Sequence, residues 1–463
     1  MQVSILNGIY SDNDPSVRVS YPLNRIPVAE ENGISSGFLK PADGIVSKGT
    51  GVGTSRGGIN WNDELYRVMG SKLVRISKDN VVTTLGDVGN NNKDVTFDYS
   101  FDRLAIASNE NLFYWDGSTL TQVVDVDLGT VLDMVWVDGY FMTTDGEFLI
   151  VTDLNDPTSV NPLKYGSSEI DPDPVLALRK IRNEIYAVNR NTIEIFNNIG
   201  GDFFPFQRKT GAQIQKGCVG TQACCIYNDM LAFIGGGRNE QVSIYLAANS
   251  SAQKISTREI DDVLSGYTET ELSLVKIEER NDKNTRLLYI HLPNETFVYD
   301  IETSGALQKP VWSKHVTDTS YRAKHFVYVY DGWQVSDTKS SEFGSFTDTI
   351  STHWGLKVIW EFGTQMLYNE SNGAIFNELE LVALTGNVAL GKDPKIGTSY
   401  SLDGKSRSQT MYINSGKQGQ TTKRLVWRRQ GKMENFRIQR FTGDSDSHIS
   451  FLRLEAQLEP LNR

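Results

Sequence analysis

The chain has 463 residues, of which 39% are hydrophobic and 22% are charged, and its formal net charge is −11. This length exceeds one ordinary core, so it predicts two or three domains or one large repeat architecture with an appendage. The acidity argues against a protein that wraps nucleic acid with its whole surface, because such binding depends on neutralising phosphates. It leaves room for a channel through which DNA passes without adhering.

The first 60 residues are rich in glycine and carry the turn-forming segments "KPADG" and "TGVGTSRGG". We expect residues 1–60 to form an N-terminal arm or strands that close a ring built by the rest of the chain. The glycines between positions 49 and 58 do not follow a strand that feeds a helix, so a flexible turn is favoured over a nucleotide site. The opening "MQVSILNGIYSDND" lacks the features of a signal peptide, and no apolar stretch reaches the roughly 18 residues of a membrane span, so export by that route and membrane insertion are not expected.

A hairpin pattern recurs seven times between Leu65 and Asp337. Each unit has two short runs of apolar and aromatic residues around a turn with Gly, Asn or Asp, which favour tight reversals. The units are "LYRVMGSKLVRI", "LAIASNENLFYW", "FMTTDGEFLIVT", "IYAVNRNTIEIF", "LAFIGGGRNEQVSIYL", "LLYIHLPNETFVYD" and "VYVYDGWQV", and they begin 39, 37, 44, 46, 56 and 40 residues apart. Steps of roughly 40 to 50 residues are typical of propeller blades, which predicts a seven-unit β-propeller-like domain over residues 61–346.

The longest step contains a segment with helical signals, "STREIDDVLSGYTETEL". Ser256 or Thr257 supplies a cap, Gly266 a stop, and Thr268 with Glu271 a capping box. A short helical insertion is therefore predicted near residues 256–276, between the fifth and sixth units. After residue 346, runs such as "LKVIWEF", "NELELVAL" and "ISFLRLEAQLE" predict an antiparallel β-sandwich-like domain over residues 347–463, so the whole chain is predicted to be all-β.

No constellation of catalytic or metal-binding residues stands out in the sequence. The five histidines are dispersed, and neither "GDSDSH" nor "DPDP" offers the number of oxygen ligands that calcium takes, so solvated turns are favoured there. The nucleophile motif G-x-S-x-G is absent. Cys218, Cys224 and Cys225 are too few for a disulfide framework and are expected to be small apolar residues in a reducing compartment. We therefore expect a protein that is not an enzyme and that binds no cofactor and no metal.

Two surface features are candidates for contact with partners. Residues 405–440 contain ten basic residues and one acid, Glu434, which fits either a solvated face of the sandwich or a contact with an acidic or phosphate-bearing partner. The segment "GGDFFPFQRK" offers an exposed apolar contact or, as we favour, rings that pack within the blades. The candidate contact residues are Phe203, Phe204, Phe206, Lys423, Arg424, Arg428 and Arg429.

An ordered set of phrases resembles the tail hub, or nozzle, proteins of short-tailed bacteriophages, also called packaged DNA stabilisation proteins. The set includes "SSGFLKPADGI", "SRGGI", "FLIVTDLNDPTSVNPLKYGSSEIDPDPV", "NTIEIFNNIGG", "IQKGCVGT", "VLSGYTETEL", "LLYIHLPNETFVYD" and "KRLVWRRQGKM" followed by "FRI". The likeness runs in order over nearly the whole chain. No single phrase is diagnostic, because most are ordinary strand-and-turn segments.

The resemblance implies a structural protein of the virion tail, assembled in the cytoplasm of the bacterial host. Several copies, six by the resemblance, would form a ring below the portal and its adaptor ring. That ring would hold packaged double-stranded DNA without sequence-specific binding and would carry tail fibres or tailspikes and a plug or needle. No catalytic residues come with the family.

Two other classes of protein stay open on the residues alone: a propeller that binds or degrades polysaccharide, and a monomeric scaffold propeller that binds peptides. For the tail protein, the acidity of the chain predicts a channel lumen that is neutral to acidic, since a basic lumen would retain DNA. The basic residues between positions 405 and 440 are then expected to face outward or toward a partner protein.

Overall fold

The computed structural model describes residues 2–3, 5, 9–10, 19–30, 33–154, 156–283, 285–369 and 372–461. Within these residues, seven antiparallel sheets follow one another along the chain, and two further sheets lie face to face as a sandwich. The all-β prediction of a seven-unit propeller followed by a sandwich is therefore confirmed. No helix in the described ranges is long and apolar enough to cross a membrane.

We number the seven sheets as blades 1 to 7 and give the strands of each blade from its inner edge outward. Blade 1 contains Ser55–Trp61, Glu64–Met69, Lys72–Ile76 and Val82–Asp87. Blade 2 contains Thr96–Tyr99, Leu104–Ser108, Asn111–Trp115 and Leu120–Gln122. Blade 3 contains Asp133–Val137, Tyr140–Thr144, Phe148–Thr152 and Val160–Ser167, and blade 4 contains Val175–Ile181, Glu184–Asn189, Ile193–Asn198 and Phe206–Arg208.

Blade 5 has an interrupted inner strand, Gly217–Cys218 and Cys224–Tyr227, followed by Met230–Gly236, Ser243–Ala248 and Ser251–Lys254. Blade 6 contains Lys276–Asp282, Thr285–His291, Thr296–Asp300 and Trp312–His315. Blade 7 contains Ala323–Val329, Gly332–Asp337, Glu342–Thr347 and, from the start of the chain, Gly44–Thr50. An early strand thus forms the outer edge of the last blade and closes the ring.

The middle strands of the blades are buried on both faces, because each sheet packs between two neighbouring sheets. In blade 2, all five residues of Leu104–Ser108 are buried. This double burial explains why the strands read as continuous apolar runs instead of alternating with polar residues. Six of the seven recurring hairpins correspond to the second and third strands of blades 1 to 6, whereas the seventh, "VYVYDGWQV", is the first and second strand of blade 7.

In the part of the chain that the structure describes, three short helices interrupt the strands. Helix α1 is Arg258–Ser265 and helix α2 is Glu269–Ser273, both between blades 5 and 6. Thr268 and Glu271 form the capping box that their spacing suggests, with each side chain bonded to the backbone of the other residue. Helix α3, Ile301–Leu307, lies between the third and fourth strands of blade 6 and begins at Asp300, whose side chain accepts the N–H of Glu302.

The sandwich is built from both ends of the chain. Its first sheet has the order Arg25–Ala29, Gly37–Pro41, Ser450–Pro460, Ala374–Leu384 and Leu425–Arg428, with Gln2–Val3 beside Ser450–Pro460 and Lys432–Met433 beside Ala374–Leu384. Its second sheet has the order Ile359–Gly363, Phe436–Asp444, Lys395–Ser401 and Met411–Asn414, with Leu367–Tyr368 beside Phe436–Asp444. A separate pair of short strands consists of Ile9–Tyr10 and Val19–Ser20.

The buried guanidinium of Arg25 joins the N-terminal strands to the sandwich core. It lies over the rings of Trp360, at 4.3 Å, and Phe451, at 4.8 Å, and donates to the carbonyl oxygen of Ile449 at 2.5 Å. Burial lowers the pKa of Arg25 to about 9. Because the chain passes from the strand Gly37–Pro41 of the sandwich directly into Gly44–Thr50 of blade 7, the same segment ties both modules together.

Candidate contact surfaces and the propeller axis

The innermost strands of the seven blades contact one another in a closed circle around the propeller axis. Side chains from opposite sides of this circle meet at its centre. Gln222, in the interrupted inner strand of blade 5, donates to the Thr96 hydroxyl of blade 2 at 3.0 Å, and Lys276 of blade 6 donates to Gln222 at 3.0 Å. Blades 2 and 5 face each other across the ring, so a hydrogen bond between them closes the axis at this level. A nucleic-acid duplex therefore has no path through a single propeller.

Asp133 of blade 3 joins side chains and backbone of three blades near the axis. Its fully buried carboxylate accepts from the Thr96 hydroxyl at 2.6 Å, from the Leu178 N–H at 2.9 Å and from Arg179 Nη1 at 2.6 Å. Arg179 also donates to the carbonyl oxygens of Thr221, at 2.6 Å, and Cys224, at 3.2 Å. This single group of polar side chains links blades 2, 3, 4 and 5.

Glu278 plays the same role between blades 6 and 7. Its carboxylate accepts the backbone N–H groups of His325 and Phe326, each at 2.9 Å, and lies 2.9 Å from His291 Nε2. Burial raises the pKa of Glu278, but the hydrogen bond and charge of His291, together with the charges of Lys276 and His325, lower this pKa to about 2. His325 in turn lies 3.2 Å from Asp94, which also pairs with Lys324 at 2.8 Å. These acids are all engaged in ties between blades, which is a structural use of buried charge.

The dispersed histidines come together in the fold. The rings of His291, His315 and His353 surround Tyr321 at centroid distances of 6.2, 5.4 and 5.5 Å. Burial is the main cause that lowers the pKa of each of these histidines. In the described ranges no three His, Cys, Asp or Glu side chains are placed to hold a metal ion. The sequence carries no signal for this cluster, because its members come from blade 6 and from the segment that follows blade 7.

The three phenylalanines of "GGDFFPFQRK" have different environments. Phe206 is buried in the core between blades 3 and 4, Phe204 is half-buried against it at 5.8 Å, and Phe203 is exposed. Phe206 also contacts the ring of Tyr140 at 6.0 Å. Two of the rings therefore pack within the propeller, and Phe203 alone is available on the surface.

The four basic candidates lie at one edge of the first sandwich sheet, where acidic residues of the neighbouring strand meet two of them. Arg424 donates to Glu380 at 2.7 Å, and Arg428 donates to Glu378 at 3.2 Å. Lys423 and Arg429 are exposed. Their position on a charged edge is compatible with a contact surface and equally with a solvated face.

The expectation that the whole basic stretch faces outward does not hold for Arg437. This side chain is buried in the sandwich, where it lies 3.8 Å from the ring centre of Tyr400 and 4.2 Å from that of Phe376. Burial lowers the pKa of Arg437 to about 10. Strand alternation is the reason, since every second residue of Phe436–Asp444 points into the sandwich.

Two family models cover almost the whole chain. The model described as bacteriophage P22 Gp10, beta-propeller, matches residues 1–351, and the model described as bacteriophage P22 Gp10, beta-sandwich, matches residues 359–459. This chain belongs to the bacteriophage P22 Gp10 family. Among curated proteins, the tail hub protein gp10 of Salmonella phage P22 is 26% identical over 457 residues, which is 93% of this chain and 94% of that protein.

Solved structures that resemble the chain are far more distant from this Gp10 family member. The Pan2 WD40 domain of Neurospora crassa is 13% identical, with a TM-score of 0.43, and the match covers 65% of this chain and 93% of that one. The N-terminal domain of Nup159 is 10% identical, with a TM-score of 0.42, and the match covers 71% and 98% of the two chains.

Membership of the Gp10 family places the chain among structural proteins of the phage tail and not among enzymes. The resemblance to phage tail hub proteins that the sequence suggested is thereby confirmed.

Proposed function

We propose that this chain is the tail hub of a short-tailed phage, in which several copies close a ring below the portal and its adaptor ring. The ring surrounds the DNA exit channel, retains the packaged double-stranded DNA, and carries the tail fibres or tailspikes and a plug or needle. Six copies are expected from the family resemblance. The observation that carries the proposal is the family match over nearly the whole chain, together with a propeller axis that is closed by side chains.

The closed axis bears directly on where DNA passes. Because the bond between Gln222 and Thr96 spans the axis, we place the DNA in a lumen between copies and not inside one propeller. Rings of identical subunits form by heterologous contacts, in which one surface of a copy meets a different surface of the next. The lumen is expected to be neutral to acidic, since a basic wall would hold DNA by releasing counterions.

The domain organisation of the chain is also part of the proposal. We assign residues 1–60 to an N-terminal segment that supplies strands to both modules, including Gly44–Thr50 of blade 7 and most of the first strand of blade 1, Ser55–Trp61. Residues 61–346 form the rest of the propeller and residues 347–463 the C-terminal β domain. Phe203 and the basic residues Lys423 and Arg429 are candidate partner contacts on the propeller and the sandwich.

Tails purified from virions test the ring. A tail reconstruction, with the copy number measured by quantitative mass spectrometry, is expected to contain several copies of the chain around one DNA channel. A single copy per tail refutes the proposal.

Variants of the basic candidates test the contact surface. We expect the change of Lys423, Arg424, Arg428 and Arg429 to Ser to weaken tail assembly, because complementary charge that assists docking is lost. DNA passage through correctly assembled tails should be unaffected. The double change Arg424→Ser and Arg428→Ser is the matched control, since both side chains already pair with Glu380 and Glu378 within the chain. Normal assembly with stalled ejection would instead place these residues in the lumen.

A further inference from the structure

The outer rim between blades 2 and 3 exposes apolar side chains that nothing in the described part of the chain covers. Val126 is 97% exposed, Val124 is 88% exposed and Leu163 is 68% exposed. Two hydrogen bonds join the loop that carries the valines to the strand Val160–Ser167. The Asp125 carboxylate accepts the Val160 N–H at 3.1 Å, and the Tyr165 hydroxyl donates to the carbonyl oxygen of Asp127. The loop with the two valines therefore runs beside the strand Val160–Ser167, which carries the leucine. We call this surface the rim patch.

Carboxylates surround the rim patch. The pKa of Tyr165 is raised first by burial and then by the charges of Asp127, Asp145 and Asp125, which places all three near its ring. The two blades as a whole are strongly acidic, since residues 96–173 contain 15 acidic and two basic residues, a net charge of −13, whereas the whole chain carries −11. The remainder of the molecule therefore has a small net positive charge. Such charge separation is a common basis for electrostatic steering between surfaces.

The sandwich offers a surface of opposite character. The edge strand Met411–Asn414 exposes Met411 and Tyr412, and the loop after it carries Lys417 and Lys423. A Cβ on Gly416 would lie 3.3 Å from the side chain of Lys423, so the two lysines come from adjoining parts of the loop. We call this surface the basic edge.

The same loop brings a third apolar side chain to the basic edge. The Thr385 hydroxyl donates to the carbonyl oxygens of Gln420, at 3.0 Å, and Lys423, at 3.3 Å. This places the exposed Leu384, its neighbour in the chain, beside the loop. The basic edge thus combines three exposed apolar residues with two exposed lysines, and the rim patch combines three exposed apolar residues with carboxylates.

From this complementarity we propose that the rim patch of one copy docks on the basic edge of the next copy. Among the described residues, no hydrogen bond or ion pair joins the two surfaces within one chain, so they are available to a second copy. A heterologous ring needs two different, matching surfaces on one chain, and these two lie on different modules. A lumen wall would need the carboxylates but not the exposed valines and leucine, which favours a protein contact at the rim patch. The proposal rests on the ring described above.

Two variants with reversed charges, tested alone and in combination, probe the contact. They are supplied from a plasmid to the phage that encodes this chain, after the phage's own gene for the chain has been inactivated. Glu147 lies near the rim patch because the ring of Phe148, the next residue, is 5.8 Å from that of Tyr165. The rim variant is Asp127→Lys with Glu147→Lys, whose carboxylates make no hydrogen bond or ion pair among the described residues. The edge variant is Lys417→Glu with Lys423→Glu. Each variant alone should lower the number of chains incorporated per tail at least about tenfold, because like charges then face each other. The combined variant should return incorporation to within about threefold of wild type, because the pairing is restored with the signs exchanged.

Controls separate this contact from folding and from the ring itself. Thermal melts should agree with wild type for every variant, and reversal of the exposed Asp79 and Asp331 should leave incorporation unchanged. The replacement of Val126 by Ser should reduce incorporation without any change in charge. The docking proposal is wrong if wild-type tails contain a ring and either charge reversal leaves that ring intact. It is also wrong if the combined variant does not restore incorporation. In both cases the proposed ring itself would remain valid. Intact rings with altered DNA ejection would assign the rim patch to the lumen, and intact rings that lack fibres would assign it to another protein. Wild-type tails with a single copy would refute the proposed function.

Discussion

Removal of the Asp133 carboxylate should destabilise the propeller more than the loss of any surface ion pair. In Asp133→Ala, Arg179 keeps its bonds to the carbonyl oxygens of Thr221 and Cys224 but loses its charge partner, and its side chain is only 14% exposed. The Thr96 hydroxyl and the Leu178 N–H lose their acceptor at the same time. The change therefore breaks the hydrogen bonds that tie blades 2, 3 and 4 together around a fully buried carboxylate.

The magnitude follows from this geometry. Loss of one partner from a buried ion pair costs about 3–5 kcal/mol, because the remaining charge stays desolvated without compensation. In a domain of this size about 1 kcal/mol shifts the melting temperature by roughly 2 °C, so a decrease of about 6–10 °C is expected.

Differential scanning calorimetry of the purified chain measures this effect. The matched control is Glu64→Ala, which removes a pair with Arg75 at 3.2 Å where both side chains are about 40% exposed. That control should cost no more than about 1 kcal/mol. The double variant Asp133→Ala with Arg179→Met should cost less than the sum of its single changes, since the buried charge disappears with its partner. A melting temperature for Asp133→Ala that equals that of the control would refute the reasoning.

Two further predictions concern pH and ring closure. Burial lowers the pKa of His353 to about 4, against about 6.5 in an unfolded chain, so the stability that the neutral ring provides is complete above pH 6.5 and is lost as the pH falls toward 4. In His353→Gln, the decrease in the free energy of unfolding between pH 7 and pH 4.5 should therefore be smaller by about 2–3 kcal/mol, as measured by urea titrations. An unchanged decrease would contradict this assignment. Where the ring closes, a Cβ on Gly344 would lie 2.3 Å from the carbonyl oxygen of Val46. Gly344→Ala should therefore separate the strands of blade 7 and lower the calorimetric melting temperature. The control Gly305→Ala in helix α3 places its Cβ where no atom lies within 4 Å, so it should be neutral or stabilising. Equal melting temperatures for the two glycine variants would argue against a tight closure.

Much of the fold could be predicted from local patterns because a propeller repeats one local unit. The tight turns between neighbouring strands need Gly, Asn or Asp, and pairs such as Asn62 with Asp63 and Asn228 with Asp229 adopt positive φ values in the structure. The apolar strands on either side of each turn could be predicted because they repeat with the same local unit. Blade 7 is the exception, because its third strand, Glu342–Thr347, has few large apolar residues. The recurring apolar pattern therefore indicates the hairpin of the first and second strands in this blade, and not that of the second and third.

The contact surfaces were harder to predict. A run of basic residues in the sequence does not indicate which of them are paired, and the partners of Arg424 and Arg428 lie some 44 and 50 positions away on the neighbouring strand. The apolar rim patch was not detected at all, because exposed valines look like ordinary strand residues until the sheets are in place.

Local residue types and their order were enough to predict the repeated hairpins, the number of blades, the change to a second β module and the family. The remaining features arose only from the packing of the sheets. Contacts between residues far apart in the chain placed the strand Gly44–Thr50 in blade 7, gathered the histidines around Tyr321 and closed the axis through Gln222 and Thr96. Such long-range contacts depend on how the sheets pack against one another, and no local pattern of residues records that packing.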